Sequence, residues 1–222
     1  RMPQPNFVLL MMDQLSGKWI AGPAVCCCPP PNIDRLRAGG VTFSRAFSSN
    51  PVCTPARSTL ATGLTTRQHG VLQNGYELDP AIPTFMQALQ RGGWRTGAFG
   101  KVHVRPHFAG LHIDYRPYGF DETFITEDPR GGDWLDWVRR EHPEHLDDAL
   151  ATIWPVAIPE FAGYGPDGVD LAERIKQIRT NKTWANEEFP GDTLWCHTLP
   201  FPEPLSQTAW ITDRATDFIR HT

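Results

Sequence analysis

Apolar and polar positions along this chain fall into alternating strand-like and helix-like stretches. Phe7 to Met12 is an unbroken apolar run bounded by polar residues, the pattern of a strand buried on both faces. It ends at Asp13-Gln14, so two oxygen-bearing side chains stand at the carboxyl end of the predicted strand, the edge where open α/β sheets bind ligands. After Pro29-Pro30-Pro31-Asn32, the stretch Ile33 to Gly40 predicts a short helix that Asn32 can cap and Gly39 can end. Val41-Thr42-Phe43 predicts a brief strand. Pro83 to Gln90 has Pro in its first turn and apolar residues spaced for one face; Gly92-Gly93 stops it, and Trp94 to Phe99 returns as a strand. This alternation predicts an α/β fold with a mostly parallel central sheet flanked by helices.

From about 105 to 160 aromatics, Pro, Gly and His crowd together with weak periodicity, predicting long loops around a short helix at Asp133 to Glu141. Asp167 to Arg179 reads as a helix, and so does Pro204 to Arg220, with Ile211, Ala215, Phe218 and Ile219 on one face. No internal repeat is present. An α/β chain normally hands such a last helix to another strand, so the sheet is expected to be incomplete at the C-terminus and the chain to be the front portion of something larger. Its expected organisation is a motif-bearing core over 1–104, a loop-rich insertion over 105–200 and a helix over 201–222, all within the N-terminal part of one catalytic domain.

The 222 residues carry a formal net charge of -4, with 40% hydrophobic and 21% charged residues, enough for one large domain or two small ones. Mild acidity offers no footprint for nucleic acid, and no apolar run approaches the ~20 residues that span a bilayer. Neither a nucleic-acid nor a membrane partner is therefore expected. Five cysteines, three of them adjacent (Cys26, Cys27, Cys28), make neither a disulfide framework nor a Cys-x-x-Cys zinc site. No cleavage site follows the first apolar run, so a cytoplasmic setting is the default. A periplasmic one is the alternative if a signal was removed before residue 1.

The densest chemistry lies in Pro51-Val52-Cys53-Thr54-Pro55-Ala56-Arg57-Ser58-Thr59-Leu60-Ala61-Thr62-Gly63. Thr54-Pro55 can start a helix, with Pro55 in the first turn where its missing N–H costs nothing. Cys53 then stands at the positive end of that helix, and Arg57, one turn on, adds a fixed cation on the same side. A cysteine so placed is either an activated thiolate, or something derived from it, or a buried structural thiol.

Cys-x-Pro-x-Arg followed by Thr62-Gly63 is similar to the signature of the type I sulfatases, the formylglycine-dependent branch of the alkaline-phosphatase-like superfamily. Gly93-Trp94-Arg95-Thr96-Gly97-Ala98-Phe99-Gly100-Lys101-Val102-His103 resembles a second pattern of that family. The opening run with Asp13-Gln14 resembles its metal-binding strand, and Pro31-Asn32-Ile33-Asp34-Arg35-Leu36 is also typical. The matches run in family order over residues 7 to 103 and fade beyond. Departures are small: Ala61 replaces a bulkier apolar residue, and Trp94 a common Tyr.

The resemblance implies hydrolysis of a small-molecule sulfate ester by a formylglycine made from Cys53, with a formylglycine-generating or sulfatase-maturing enzyme as partner. It implies Asp13, Gln14 and residue 53 as ligands of a divalent cation, Ca²⁺ first and Mg²⁺ or Mn²⁺ as alternatives, since the ligation is by oxygen. Arg57 would neutralise the nucleophile, Lys101 would hold a sulfate oxygen, His103 would hydrogen-bond the second hydroxyl, and Asn74 would lie on the sulfate side. Each has a plainer reading: Asp13 as a turn cap, Lys101 and His103 as a solvated pair, Asn74-Gly75 as a turn. If the strand ran on, positions 101 and 103 would share a face. A phosphonate monoester or phosphodiester hydrolase with the same nucleophile is the first alternative, and a catalytically silent fragment the second. Self-association into a homo-oligomer is compatible with all three.

In that family a later Asp followed by His or Asn completes the metal shell, and no such pair follows residue 103 here. The weaker candidates are His107, His112, His142, His145 and His197, read as scattered surface residues with one at a pocket. Trp134, Trp137 and Trp154 read as core or pocket wall. Asn181-Lys182-Thr183 matches a glycosylation acceptor without a secretory context.

Overall fold

The computed structural model describes residues 5–21, 29–106, 109–153, 173–175, 177–178 and 199–221. It divides into two units, 1–47 and 48–222. The first unit holds helices α1 (Gly17–Ala21) and α2 (Pro31–Gly39). Here α2 starts at Pro31 behind Pro30, so Asn32 lies inside the first turn and does not cap it. Residues 7–12 and 41–43 are not strands, which corrects both strand expectations for this unit. Phe7, Val8, Leu9 and Leu10 are 60–70% exposed, and Val41 and Phe43 are exposed as well. An apolar sequence becomes a strand only where neighbours accept its backbone groups and cover its faces.

The second unit opens with α3 (Cys53–Thr62), α4 (Thr66–His69) and α5 (Phe85–Arg91). Gly63 stops α3 in the left-handed region (φ 70°), its N–H donating to the Thr59 carbonyl at 2.8 Å, a turn that suits glycine. Helix α5 starts two residues later than expected because Thr84, not Pro83, caps it. The Gln87 amide donates to Thr84 Oγ1 at 3.2 Å, and the Gln87 side chain closes a reciprocal box.

Strand β1 (Gly97–Gly100) pairs in parallel with β2 (Glu122–Ile125), Gly97 opposite Glu122 and Gly100 opposite Ile125. The pattern did not reveal β2, because its four residues sit in aromatic-rich text with no longer alternation. Below the two strands, α6 (Asp133–Glu141) matches the expected helix residue for residue, and α7 (Leu146–Ala151) follows. The last helix, α8 (Gln207–Arg220), begins three residues after Pro204, because Ser206 caps it and Glu203–Leu205 forms a separate 3-10 turn. The helix expected over Asp167 to Arg179 lies mostly outside the described residues; 173–175 and 177–178 are helical.

This parallel pair with helices on both sides is the α/β arrangement anticipated. On one face Ala98 and Ile125 join Ala61 of α3, Met86 of α5, Tyr115 and Tyr118 in a buried core. On the other, Phe99 stacks on Phe124 at 6.0 Å and meets Phe218 of α8 at 5.4 Å. A second core gathers Trp134, Leu135 and Val138 of α6 with Leu150, Leu205 and Trp210. Among the described residues no helix is long and apolar enough to cross a membrane.

Candidate active site

Two parallel strands discharge their chains at one edge, and the site is built there. Helix α3 presents its N-terminus with Cys53 as its first residue, a free, half-buried thiol. Val52, at the cap position, has no side-chain acceptor for the first-turn amides. Asn74 supplies one from another loop: the Thr54 N–H donates to Asn74 Oδ1 at 2.9 Å. Asn74 therefore stands at the positive end of α3, on the amide of the residue that follows Cys53.

Arg57 is buried, and its Nη1 donates to the Lys101 carbonyl at 2.9 Å. That bond ties α3 to the exit of β1. Strand β1 starts three residues after the expected Trp94 and ends at Gly100, so it does not run on to 103. Gly100 (φ 92°) turns the chain away, and a Cβ there would meet Ile211 of α8 at 2.9 Å. What brings Lys101 and His103 together is an acidic residue: Lys101 Nζ lies 2.6 Å from Asp128 Oδ1, and His103 Nδ1 lies 3.7 Å from Asp128 Oδ2.

His103 is fully buried and adopts φ 50°, a left-handed conformation that costs a non-glycine residue about 1–3 kcal/mol. The adjacent Glu127 accepts from this stretch. Its Oε1 receives the His103 N–H at 2.9 Å, the Val102 N–H at 3.2 Å and the Tyr115 hydroxyl at 2.6 Å. Its Oε2 is buried with no hydrogen-bond partner among the described residues. Burial pushes the Glu127 carboxyl up, against the pull of its three donors and of the Lys101 charge. Burial and the neighbouring Glu127 charge hold Tyr115 well above the usual phenol range, so it remains a donor.

Glu127 and Asp128 were missed by sequence reasoning. The cue, a short apolar pair, Phe124-Ile125, followed after Thr126 by two acids, becomes readable only once 122–125 is known to be a strand.

The sulfatase family profile matches residues 5–154, about two thirds of the chain. The chain belongs to the sulfatase family. This sulfatase-family chain is 31% identical over 205 residues to the choline-sulfatase of Rhizobium meliloti (strain 1021), covering 90% of this chain and 38% of that protein. It is 35% identical over 98 residues to mouse (Mus musculus) arylsulfatase K, covering 44% of this chain and 18% of that one. Its fold is similar to the crystal structure of the phosphonate monoester hydrolase of Agrobacterium radiobacter, with a TM-score of 0.54, 25% identity, and coverage of 86% of this chain and 33% of that one. The chain thus spans well under half the length of these relatives.

Asp13 and Gln14 form an exposed turn of the first unit, with Gln14 at φ 56°. They line a shallow hollow with Leu15, Trp19, Ile20, Pro30 and Ile33. Their oxygens suit a hard cation. Among the described residues, however, no three His, Cys, Asp or Glu side chains come together as a metal-holding group. Asp13 and Gln14 by themselves do not assemble a full donor set.

The weaker candidates divide. Trp134 is core, donating its Nε1–H to the Leu205 carbonyl at 3.0 Å. Trp137 lines an open cleft with Phe124, Trp210, Asp133, Asp136, Arg140 and Arg214. His112 lies 2.7 Å from Asp136 and His145 lies 3.7 Å from Asp148, ordinary partly exposed pairs. His107, His197, Trp154, Cys26, Cys27, Cys28 and Asn181 to Thr183 lie outside the described residues.

Proposed function

We propose that this chain carries the nucleophile-bearing part of a sulfate-ester hydrolase site, with Cys53 matured to formylglycine by a dedicated enzyme. The observation that carries this reading is the pair of tertiary hydrogen bonds, Thr54 to Asn74 and Arg57 to Lys101, that joins Asn74 and three positions of the two family motifs around one helix N-terminus. As formylglycine, residue 53 would supply one hydroxyl of a hydrated aldehyde as nucleophile toward the sulfur, breaking the ester S–O bond and releasing the alcohol. Loss of the proton from the other hydroxyl would then expel sulfate and restore the aldehyde. Arg57 keeps one guanidinium N–H on the Lys101 carbonyl and sets a permanent positive charge one turn from residue 53. Lys101 exchanges Asp128 for a sulfate oxygen when substrate arrives. His103 hydrogen-bonds at the hydroxyl of residue 53 and moves its proton, and Asn74 orients the sulfate side. Asp13 and Gln14 are proposed as oxygen donors to a divalent cation, calcium before magnesium or manganese. The Asp13→Asn change should weaken calcium affinity about tenfold or more by calorimetry; an unchanged affinity removes Asp13 from the metal shell.

The deciding measurement is the mass of the tryptic peptide Ala46 to Arg57 from protein made alongside a maturing enzyme, together with turnover of an aryl sulfate and an aryl phosphonate. An aldehyde mass with preference for the sulfate supports the reading. An intact thiol removes it, and preference for the phosphonate favours the second reading, toward which the Agrobacterium radiobacter neighbour points. Replacing Cys53 by Ala should cost at least about a thousandfold in turnover while thermal stability stays nearly unchanged; retained activity would exclude Cys53 as the nucleophile.

A further inference from the structure

We propose that Glu127 is a positioning residue of this site, fixing the backbone of Val102–His103 and through it the Lys101 and His103 side chains. The inference rests on the hydrolase reading above and adds to it a residue carried by neither family motif.

Two successive amides, those of Val102 and His103, converge on the one oxygen Oε1. Successive N–H groups aimed at a single acceptor form an anion-binding concavity that an extended strand cannot make. Here the convergence accompanies the left-handed backbone of His103. Without an acceptor, the buried His103 amide and the half-buried Val102 amide would be orphaned, and His103 would have reason to relax into the ordinary region. Tyr115, fully buried, donates to the same oxygen and keeps the carboxylate from turning. The residue that follows, Asp128, takes the Lys101 ammonium and approaches the His103 ring. One dipeptide at the end of β2 therefore holds the Lys101–His103 segment by its backbone through Glu127 and by its side chains through Asp128. Glu127 acts through the segment it holds, whose two amides it accepts and which carries the Lys101 and His103 side chains.

The test compares wild type with Glu127→Ala and Glu127→Gln in the full chain, following single-amide hydrogen exchange and aryl-sulfate kinetics. In Glu127→Ala the amides of Val102 and His103 should exchange at least about tenfold faster while those of Phe99 and Ile125 keep their rates. In the same variant kcat should fall about tenfold or more with KM within about twofold. Glu127→Gln keeps an acceptor oxygen and should restore both to within about threefold of wild type. Exchange that rises uniformly across β1 and β2, or a kcat that does not move, overturns the proposal. Should Glu127→Ala fail to fold, Tyr115→Phe loosens the same carboxylate more gently. It should raise exchange at 102 and 103 selectively and lower kcat, and no change in either overturns the proposal. Absence of turnover in the matured wild type sinks the hydrolase reading alone, because the exchange pattern still decides whether Glu127 holds this segment.

Discussion

Two apolar segments of this chain, Phe7 to Met12 and Gly97 to Gly100, live in different surroundings. The second is β1: it is laddered to β2, covered by Ala61 and Met86 on one face and by α8 on the other. The first is more hydrophobic, yet four of its six residues are at least 60% exposed. Apolar content alone therefore does not decide strand formation. β1 contains two glycines and one alanine, which individually favour a strand little. It forms because Thr96 and Asp121 lock the entry to both strands and because small residues let α8 approach closely. The Asp121 N–H donates to the Thr96 carbonyl at 2.9 Å, and the Thr96 N–H and hydroxyl donate to Asp121 Oδ2 at 2.8 and 2.9 Å. Side-chain identity matters less than the partners waiting at each edge and face.

That contrast can be broken most sharply by equal truncations in the two segments' surroundings. Ile125→Ala, at a 3% exposed position, should cost about 2–5 kcal/mol in denaturant stability. Leu10→Ala should stay within about 0.5 kcal/mol. Equal losses would mean that the first segment is as buried in solution as β2. A middling effect is expected at Thr84, which caps α5 and also donates to the Tyr118 carbonyl at 2.7 Å. Thr84→Ala should lower stability by about 1–2 kcal/mol; a null result there would show that the helix covering this face needs no cap.

The smallest expected effect concerns pH. The Thr96 amide, with Gln90 and the Thr96 hydroxyl, holds the Asp121 carboxyl below its usual range. A lowered folded value means that this stability is present above the unfolded value of about 4 and is lost as pH falls through the folded value. Asp121 is exposed, so the contribution is under about 1 kcal/mol. Thermal melts of wild type and Asp121→Asn should differ most near pH 6 and converge toward pH 2–3. Divergence on acidification would reverse the assigned sign.

Legibility followed locality. Helix α6 was readable to the residue because Trp134, Leu135 and Val138 form one apolar stripe while Asp133 and Asp136 occupy its first turn. The starts of α5 and α8 were displaced because Thr84 and Ser206 compete with nearby prolines, and a cap that satisfies an orphaned amide outranks a proline that merely tolerates the turn. Strand β2 was illegible because four residues carry too little periodicity, and its existence depends on β1 alongside. The same holds for Glu127 and Asp128: acids after a loop carry no signal until the loop proves to be a strand.

By itself, the sequence determined the local devices. It set the Cys53 helix start, the Gly63 stop, the turn at Gly100 and the motif spacing that marks the family. Tertiary structure decided which of these meet, because the joining bonds span 20 residues from Thr54 to Asn74, 24 from His103 to Glu127 and 44 from Arg57 to Lys101. Capping and turn preferences act within a few residues, and no local pattern encodes a contact at that range. Those contacts exist because parallel pairing brings the ends of β1 and β2 to one edge and packing sets α3 beside it, an arrangement that forms only when the whole core closes.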